Sequence, residues 1–286
     1  MISVRNGHGD AFETKAVRTE ALALHLPRRA CVRLLAQPSV PVDLPVDPYV
    51  FGYWLGDGQS ANGNICVGMQ DYEHLRAELI KTLRAYEDLG EAHYWQNMMM
   101  LNIRRRPELC PKGHDRTDNP RFSKAGHPIC RRCTNGKAKH LPTLMSLHER
   151  LKSVGVIKNK HIPDLYLHAG THQRRALLQG LMDSDGHIDK AGRAGFTNTN
   201  RRIVDGFVFV ARSLGYKPQV RQHNTSGWIV SFAVNSTAPI VRLERKAARV
   251  VVATSRQARM KYIRSVTELT PDGHDQSPIF RSVLEL

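Results

Sequence analysis

The sequence is short of acidic residues. Twenty-six Asp and Glu face 42 Lys and Arg, which leaves a formal charge of +16 and an isoelectric point near 10.0. An excess of this size spreads a positive field over the molecule and makes a polyanion, nucleic acid first, the expected partner. Long apolar runs are missing too. No stretch approaches the roughly 20 residues of a membrane span, and no basic segment followed by an apolar run opens the chain, so a cytoplasmic location is expected. Cysteine is scarce: five in 286 residues are too few for a disulfide scaffold, yet three of them crowd into residues 110 to 133, which points to a metal.

Hydrophobic residues make up 41 % of the chain, enough for one large core or two modest ones. Residues 1–46 lack periodicity and run into Pro38, Pro41, Pro45 and Pro48, a connector with a boundary near residue 46. One order of elements then occurs twice. Its first pass has an apolar segment ending at Gly58, an extended stretch from Asn64 to Met69, a helical pattern from Asp71 to Tyr86, and strands over Ala92 to Trp95 and Met98 to Arg104. The second has Leu177 to Gly186, Ala194 to Thr199, a helical Asn200 to Leu214, and strands over Gln219 to Gln222 and Trp228 to Val234. The expected fold is therefore α+β, with two pseudo-symmetric αββαββ-like halves at 47–106 and 171–240. A Cys/His-rich module (107–140) and a helical connector (141–170) separate them, and a basic extension (241–286) follows. That tail reads as a solvated charged face or a contact for DNA.

Each pass opens on a similar nonapeptide, Val50-Phe51-Gly52-Tyr53-Trp54-Leu55-Gly56-Asp57-Gly58 and Leu178-Gln179-Gly180-Leu181-Met182-Asp183-Ser184-Asp185-Gly186. On a helix, Gly52 with Gly56 and Gly180 with Ser184 line one face, so two such helices can pack closely and make Asp57 and Asp185 neighbours. Two carboxylates at helix C-termini repel each other and the macrodipole, and a hard divalent cation such as Mg²⁺ compensates. An EF-hand loop is excluded, because Ile188 and Ala194 stand where it needs Gly and Glu.

These nonapeptides resemble the paired motifs of the LAGLIDADG homing endonucleases. With Leu44-Pro45-Val46-Asp47-Pro48-Tyr49 and Lys160-His161-Ile162-Pro163 ahead of them, the similarity is to the intein-derived (DOD-type) members and covers roughly residues 41 to 264. The resemblance implies a monomeric magnesium-dependent endonuclease that breaks double-stranded DNA at a long asymmetric site. Asp57 and Asp185 would then be metal ligands and catalytic, with the Gly56 and Ser184 carbonyls as further ligands. Lys160 would serve as base or charge stabiliser, and Lys246 or Lys261 as the second active-site lysine. The expected readers of base edges are Arg104, Arg193, Arg221 and Gln222 on groove-facing sheets. The splicing residues of an intein are not matched by Met1-Ile2-Ser3 or Leu284-Glu285-Leu286, so the ends read as splicing-domain vestiges or extra DNA-binding surface. A non-catalytic DNA-binding regulator and an RNA maturase are the alternatives on this scaffold.

The spacing C-x3-H-x15-C-x2-C in Cys110, His114, Cys130 and Cys133 fits a structural tetrahedral Zn²⁺ site, with His127 as a competitor for His114. Zinc would replace the core that Leu109, Phe122 and Ile129 are too few to build. Basic side chains on the module are expected to touch DNA phosphates. Cys31 and Cys66 read as buried small apolar residues.

Overall fold

A computed structural model describes residues 39–117, 121–134, 144–223 and 227–254, with short isolated segments outside them. Helix α1 (Pro48–Asp57) starts where the Asp47 carboxylate accepts from the Tyr49 and Val50 amides at 2.9 and 3.1 Å, with Pro48 in the first turn. Every residue from Tyr49 to Leu55 is buried, which is why this stretch shows no amphipathic period. After it come β1 (Asn64–Gly68), α2 (Met69–Thr82), β2 (Glu87–Trp95) and β3 (Met98–Arg105), with the sheet in the order β1-β3-β2.

The second half repeats this plan with α6 (Thr171–Ser184), β6 (Gly186–Ile188), β7 (Ala194–Asn198), α7 (Arg201–Ser213), β8 (Gln219–His223) and β9 (Gly227–Phe232). Its sheet runs β8-β9-β7-β6. In the first half the place of β6 shrinks to one antiparallel bridge, Gly58 to Ile65. Each sheet alternates. Met99, Leu101 and Ile103 face the core from β3, as Phe196, Val230 and Phe232 do from the second sheet. Between the halves lie a small module with β4 (Arg121–Phe122), β5 (Pro128–Ile129) and α3 (Arg131–Thr134), then α4 (Leu147–Ser153) and α5 (Asp164–Leu167).

The halves meet along α1 and α6. A Cβ added at Gly52 would lie 2.4 Å from the Leu177 carbonyl, and one at Gly180 would lie 2.2 Å from the Tyr49 carbonyl, so only glycine lets the backbones touch. Gly56 and Ser184 form the next layer. One core joins both halves, from Trp54 and Leu75 through Leu177 and Leu181 to Phe207 and Phe232.

Some boundaries differ from expectation for identifiable reasons. Helix α2 ends at Thr82, not Tyr86, and β2 begins at Glu87, not Ala92, because Glu87 is drawn into the core as the partner of buried Arg150. Helix α6 begins at Thr171, six residues before the apolar run, since buried Arg174 donates to the Ala169 carbonyl at 2.9 Å and the Ser213 carbonyl at 3.2 Å. Cys66 is half-buried on the outer face of the first sheet and not in the core. The side chains of Cys31, Lys261 and most of both terminal extensions lie outside the described residues.

Candidate active site

Helices α1 and α6 end side by side, each without a basic residue in its last turn. Asp57 closes α1 and Asp185 caps α6, and a Cβ built on Gly56 would come within 3.1 Å of the Asp185 carboxyl carbon. Burial, with Asp185 as the next contributor, pushes the Asp57 carboxyl up to about 6. Asp185 is raised by burial as well, but the Asn198 amide donates to its carboxylate at 2.7 Å and holds it down. Asp57 has no such donor among the described residues.

Two lysines close the ends of these helices. Lys160 donates to the carbonyls of Trp54 (2.9 Å), Leu55 (3.0 Å) and Gly58 (2.6 Å). Lys246 donates to those of Met182 (2.8 Å), Asp183 (2.7 Å) and Gly186 (2.7 Å). The acceptors correspond one to one across the two motifs, 128 residues apart, although the two lysines sit in unrelated local sequence. A cation at a helix C-terminus satisfies orphan carbonyls and offsets the macrodipole. Three close acceptors on each amine match the three N–H donors of an ammonium, whereas a neutral amine has only two. Burial lowers Lys160 to about 8, opposed by Asp185 first and Asp57 second, so the ammonium persists at neutral pH. Burial lowers Lys246 as well. The Gly56 and Ser184 carbonyls are 3.4 Å from the two amines, loosely held and open to another cation.

The segment carrying Lys246 is not the solvated face expected of a basic tail. Ile240, Val241 and Leu243 are buried, and the Arg242 and Leu243 amides donate to the Asp183 carboxylate, which also accepts from the Tyr49 hydroxyl at 3.0 Å. Arg242 pairs with Glu78, and Arg245 grips Asp71 through two nitrogens, so α2 of the first half holds the lysine of the second. Asp71, Asp183 and Asn198 were missed from sequence. Asp183 alone was signalled, as an acid inside an otherwise apolar motif whose counterpart is Leu55.

Of the expected DNA readers, Arg104 projects from the outer face of β3, alongside Asn102 and Met100, and pairs with Asp88 at 3.4 Å. Arg221 projects from the outer face of edge strand β8, in line with Ile229 of β9. Gln222 is exposed on the opposite face, in register with Trp228, and Arg193 is exposed at the turn before β7.

In the inserted module, His114 Nδ1 lies 3.5 Å from each of the Cys110, Cys130 and Cys133 sulfurs, and Cys110 lies 3.6 Å from Cys133. Disulfide sulfurs would be about 2.05 Å apart. Bonds of about 2.0 to 2.3 Å to a central ion give a tetrahedron with edges of about 3.3 to 3.8 Å, so the four atoms are compatible with a metal ion. His127 is exposed and outside the cluster.

A family model described as a LAGLIDADG-like domain matches residues 172–259. The replicative DNA helicase DnaB of Mycobacterium intracellulare is 39 % identical over 117 residues, covering 39 % of this chain, which spans about a fifth (20 %) of that relative's length. The 286 residues contain no Gly-x-x-x-x-Gly-Lys-Ser/Thr phosphate loop. Solved structures of the homing endonuclease I-DmoI are similar at 12 % identity: a set of mesophilic variants (TM-score 0.39) and the complex with DNA and Ca (TM-score 0.40), each covering 71 % of this chain and 95 % of that one. No helix among the described residues is long and apolar enough to cross a membrane. Residues 172–259, which run from the second motif helix past Lys246, are thus similar to the LAGLIDADG-like domain.

Proposed function

We propose that this chain is a site-specific homing endonuclease, acting as a monomer, that makes a double-strand break in a long asymmetric DNA target by Mg²⁺-assisted phosphodiester hydrolysis. The observation that carries the reading is the duplicated constellation of one carboxylate and one ammonium at each of two adjoining helix ends. A structural helix end needs no second buried acid beside it, and desolvated carboxylates are strongly favourable sites for a hard cation. The donor set fits magnesium: the carboxylates of Asp57 and Asp185 with the loosely held carbonyls of Gly56 and Ser184. Bound there, the metal would supply a Lewis acid for the phosphate and an activated water.

The chain's own residues do the rest. Asp57 and Asp185 hold the ion, and the rigid glycine contact between α1 and α6 fixes their separation. Lys160 and Lys246, held as ammonium ions by three carbonyls each, place positive charge where the pentavalent phosphate gains negative charge, which favours the charge-stabilising role over the base. Arg104, Arg193 and Arg221 contact the duplex from or beside the sheets, while Gln222, on the core-side face of β8, does not. Zn²⁺ on Cys110, His114, Cys130 and Cys133 holds the module together.

Intein ancestry is supported by the pairing of Cys31–Arg33 with Met260–Tyr262, which brings the two terminal extensions into one sheet as a split splicing domain requires. Likeness to a fifth of a helicase without a phosphate loop is what an inserted element would give, so the uninterrupted replicative helicase gene is the proposed target. The test is a supercoiled plasmid carrying that gene, incubated with the protein in Mg²⁺ or in EDTA. Linear product with Mg²⁺ alone is the expected result. Intact plasmid in both, across a tiled set of inserts, refutes the reading.

A further inference from the structure

The Cys/His module holds a feature that its role as a folded insert does not use. Phe122 is 60 % exposed, the most exposed aromatic among the described residues, in a module with almost no apolar surface of its own to bury. Single exposed apolar residues are ordinary, so the surroundings decide. Residues 121–134 hold four Lys and Arg and no Asp or Glu. Arg121, Lys124 and Arg131 are exposed, whereas Arg132 lies near Asp115. A tetrahedral zinc with three thiolates and a neutral His carries one net negative charge and Asp115 another, so the four cations of residues 121–134 outnumber both and leave positive charge for a partner.

The hairpin bearing Phe122 is preorganised. Ser123 accepts from the Gly126 amide at 2.9 Å, its own amide donates to the His127 carbonyl at 2.8 Å, and its hydroxyl accepts from the His127 amide at 3.1 Å, around Gly126 at φ +78°. Arg116 ties it to the body, donating to the Pro128 carbonyl at 3.3 Å and to that of Pro107, just past β3. The module is docked at the same end of β3 by Leu144, whose amide donates to the Pro111 carbonyl at 2.7 Å and whose carbonyl accepts from Arg105 at 3.2 Å. The root of the module is therefore fixed at the end of β3 that carries Arg104 and Arg105.

We propose that the Arg121–Ile129 hairpin is a second DNA-contacting element, in which Phe122 packs against a base step of the duplex outside the reach of the sheets while Arg121, Lys124 and Arg131 hold the flanking phosphates. It rests on the reading of the chain as a DNA-binding nuclease. An aromatic wedge flanked by cations suits duplex DNA, because the ring takes the face of a base step opened locally and the cations fix the backbone on either side. Since only the first half carries the module, the footprint is longer at one end of the target than at the other.

The test uses the full chain with duplexes enriched from a random-sequence pool by binding to it, in EDTA-free buffer with Ca²⁺ to hold off cleavage. F122A weakens binding roughly tenfold, F122W restores it, and both keep the zinc content and melting temperature of the parent, because the ring is exposed. The double variant R121Q/K124Q reduces the slope of log affinity against log salt by about 2. Hydroxyl-radical protection shortens at one end only in F122A. Wild-type affinity and an unchanged footprint in F122A overturn the hairpin proposal while leaving the nuclease reading intact. Failure of the parent chain to enrich any duplex, or preference for structured RNA, overturns both.

Discussion

The two halves present the same chemistry on unequal supports. Lys160 and Lys246 reach corresponding carbonyls, yet Asp185 is steadied by the Asn198 amide and the strand β6 beside it, while Asp57 accepts no hydrogen bond from a described residue and has only a single bridge at Gly58 next to it. The second motif is also anchored from within, because Asp183 takes the Arg242 and Leu243 amides and the Tyr49 hydroxyl where the first has Leu55. The first half in turn carries the Cys/His module, docked past the end of β3. The helix contact, the carboxylates and the lysine caps thus recur in both halves, while the scaffolding around them differs.

If both carboxylates share in holding the metal, the unequal supports should not matter to chemistry. D57N and D185N are each expected to abolish double-strand cleavage, by at least about 10³-fold, with affinity within about tenfold of the parent since few phosphate contacts are lost. Single-turnover assays on supercoiled plasmid measure this. Near-normal linearisation by either variant would mean that one half cuts alone.

The lysines sharpen the comparison, because their charges cross it. Lys160 caps the first helix but is felt by Asp185 before Asp57, and Asp57 in turn feels Lys246 before Lys160. K160M and K246M should each slow cleavage on the order of 10², on opposite strands, visible as nicked circles on end-labelled duplex. Cleavage by the parent should also decline as pH rises through about 8, where Lys160 loses its proton. A rate that climbs through that pH would return Lys160 to the role of base.

A smaller effect tests the half that carries the insert. C130S/C133S should lose about one zinc per chain by elemental analysis, since structural sites of this type bind with about 10 to 16 kcal/mol. Affinity should fall several-fold while the rate at saturating enzyme stays within about threefold, because the one core joining the halves does not draw on the module. A zinc-free parent protein would remove the metal from this site.

The repeated element order, the small-residue faces and the metal-spaced cluster were all legible, because periodicity and spacing are local properties. Lys160 was singled out as a candidate by its neighbours Ile162 and Pro163, and Lys246 only as one of two choices. What stayed hidden depends on contacts distant in sequence. Glu87 and Arg150 look like surface residues until burial pairs them, and nothing near Asp71 announces that Arg245 grips it across 174 positions. Arg242 and Arg245 read as a charged tail because a sequence shows charge but not its partner. Gln222, next to Arg221, illustrates the strand rule from the other side: neighbours in sequence face opposite ways.

The mildest prediction distinguishes the carboxylates without any DNA. Asp57 titrates near 6 in the folded chain against an ordinary value of 3.8, so the folded state binds its proton more tightly than the unfolded state does. Between about pH 4 and pH 6 this group therefore makes folding less favourable as pH rises, and above pH 6 its cost is constant, at up to about 3 kcal/mol. D57N, which cannot ionise, should melt several degrees higher than the parent at pH 7 in EDTA and show little difference at pH 4. Adding Mg²⁺ should raise the parent and not the variant, since the ion repays the cost of the buried charge. D185N should gain less, because it also gives up the charged acceptor of the Asn198 amide. Melting curves at the two pH values decide the matter. If D57N is no more stable than the parent at pH 7 in EDTA, Asp57 is not held ionised at a cost, and the account of the first site as the less supported of the two fails.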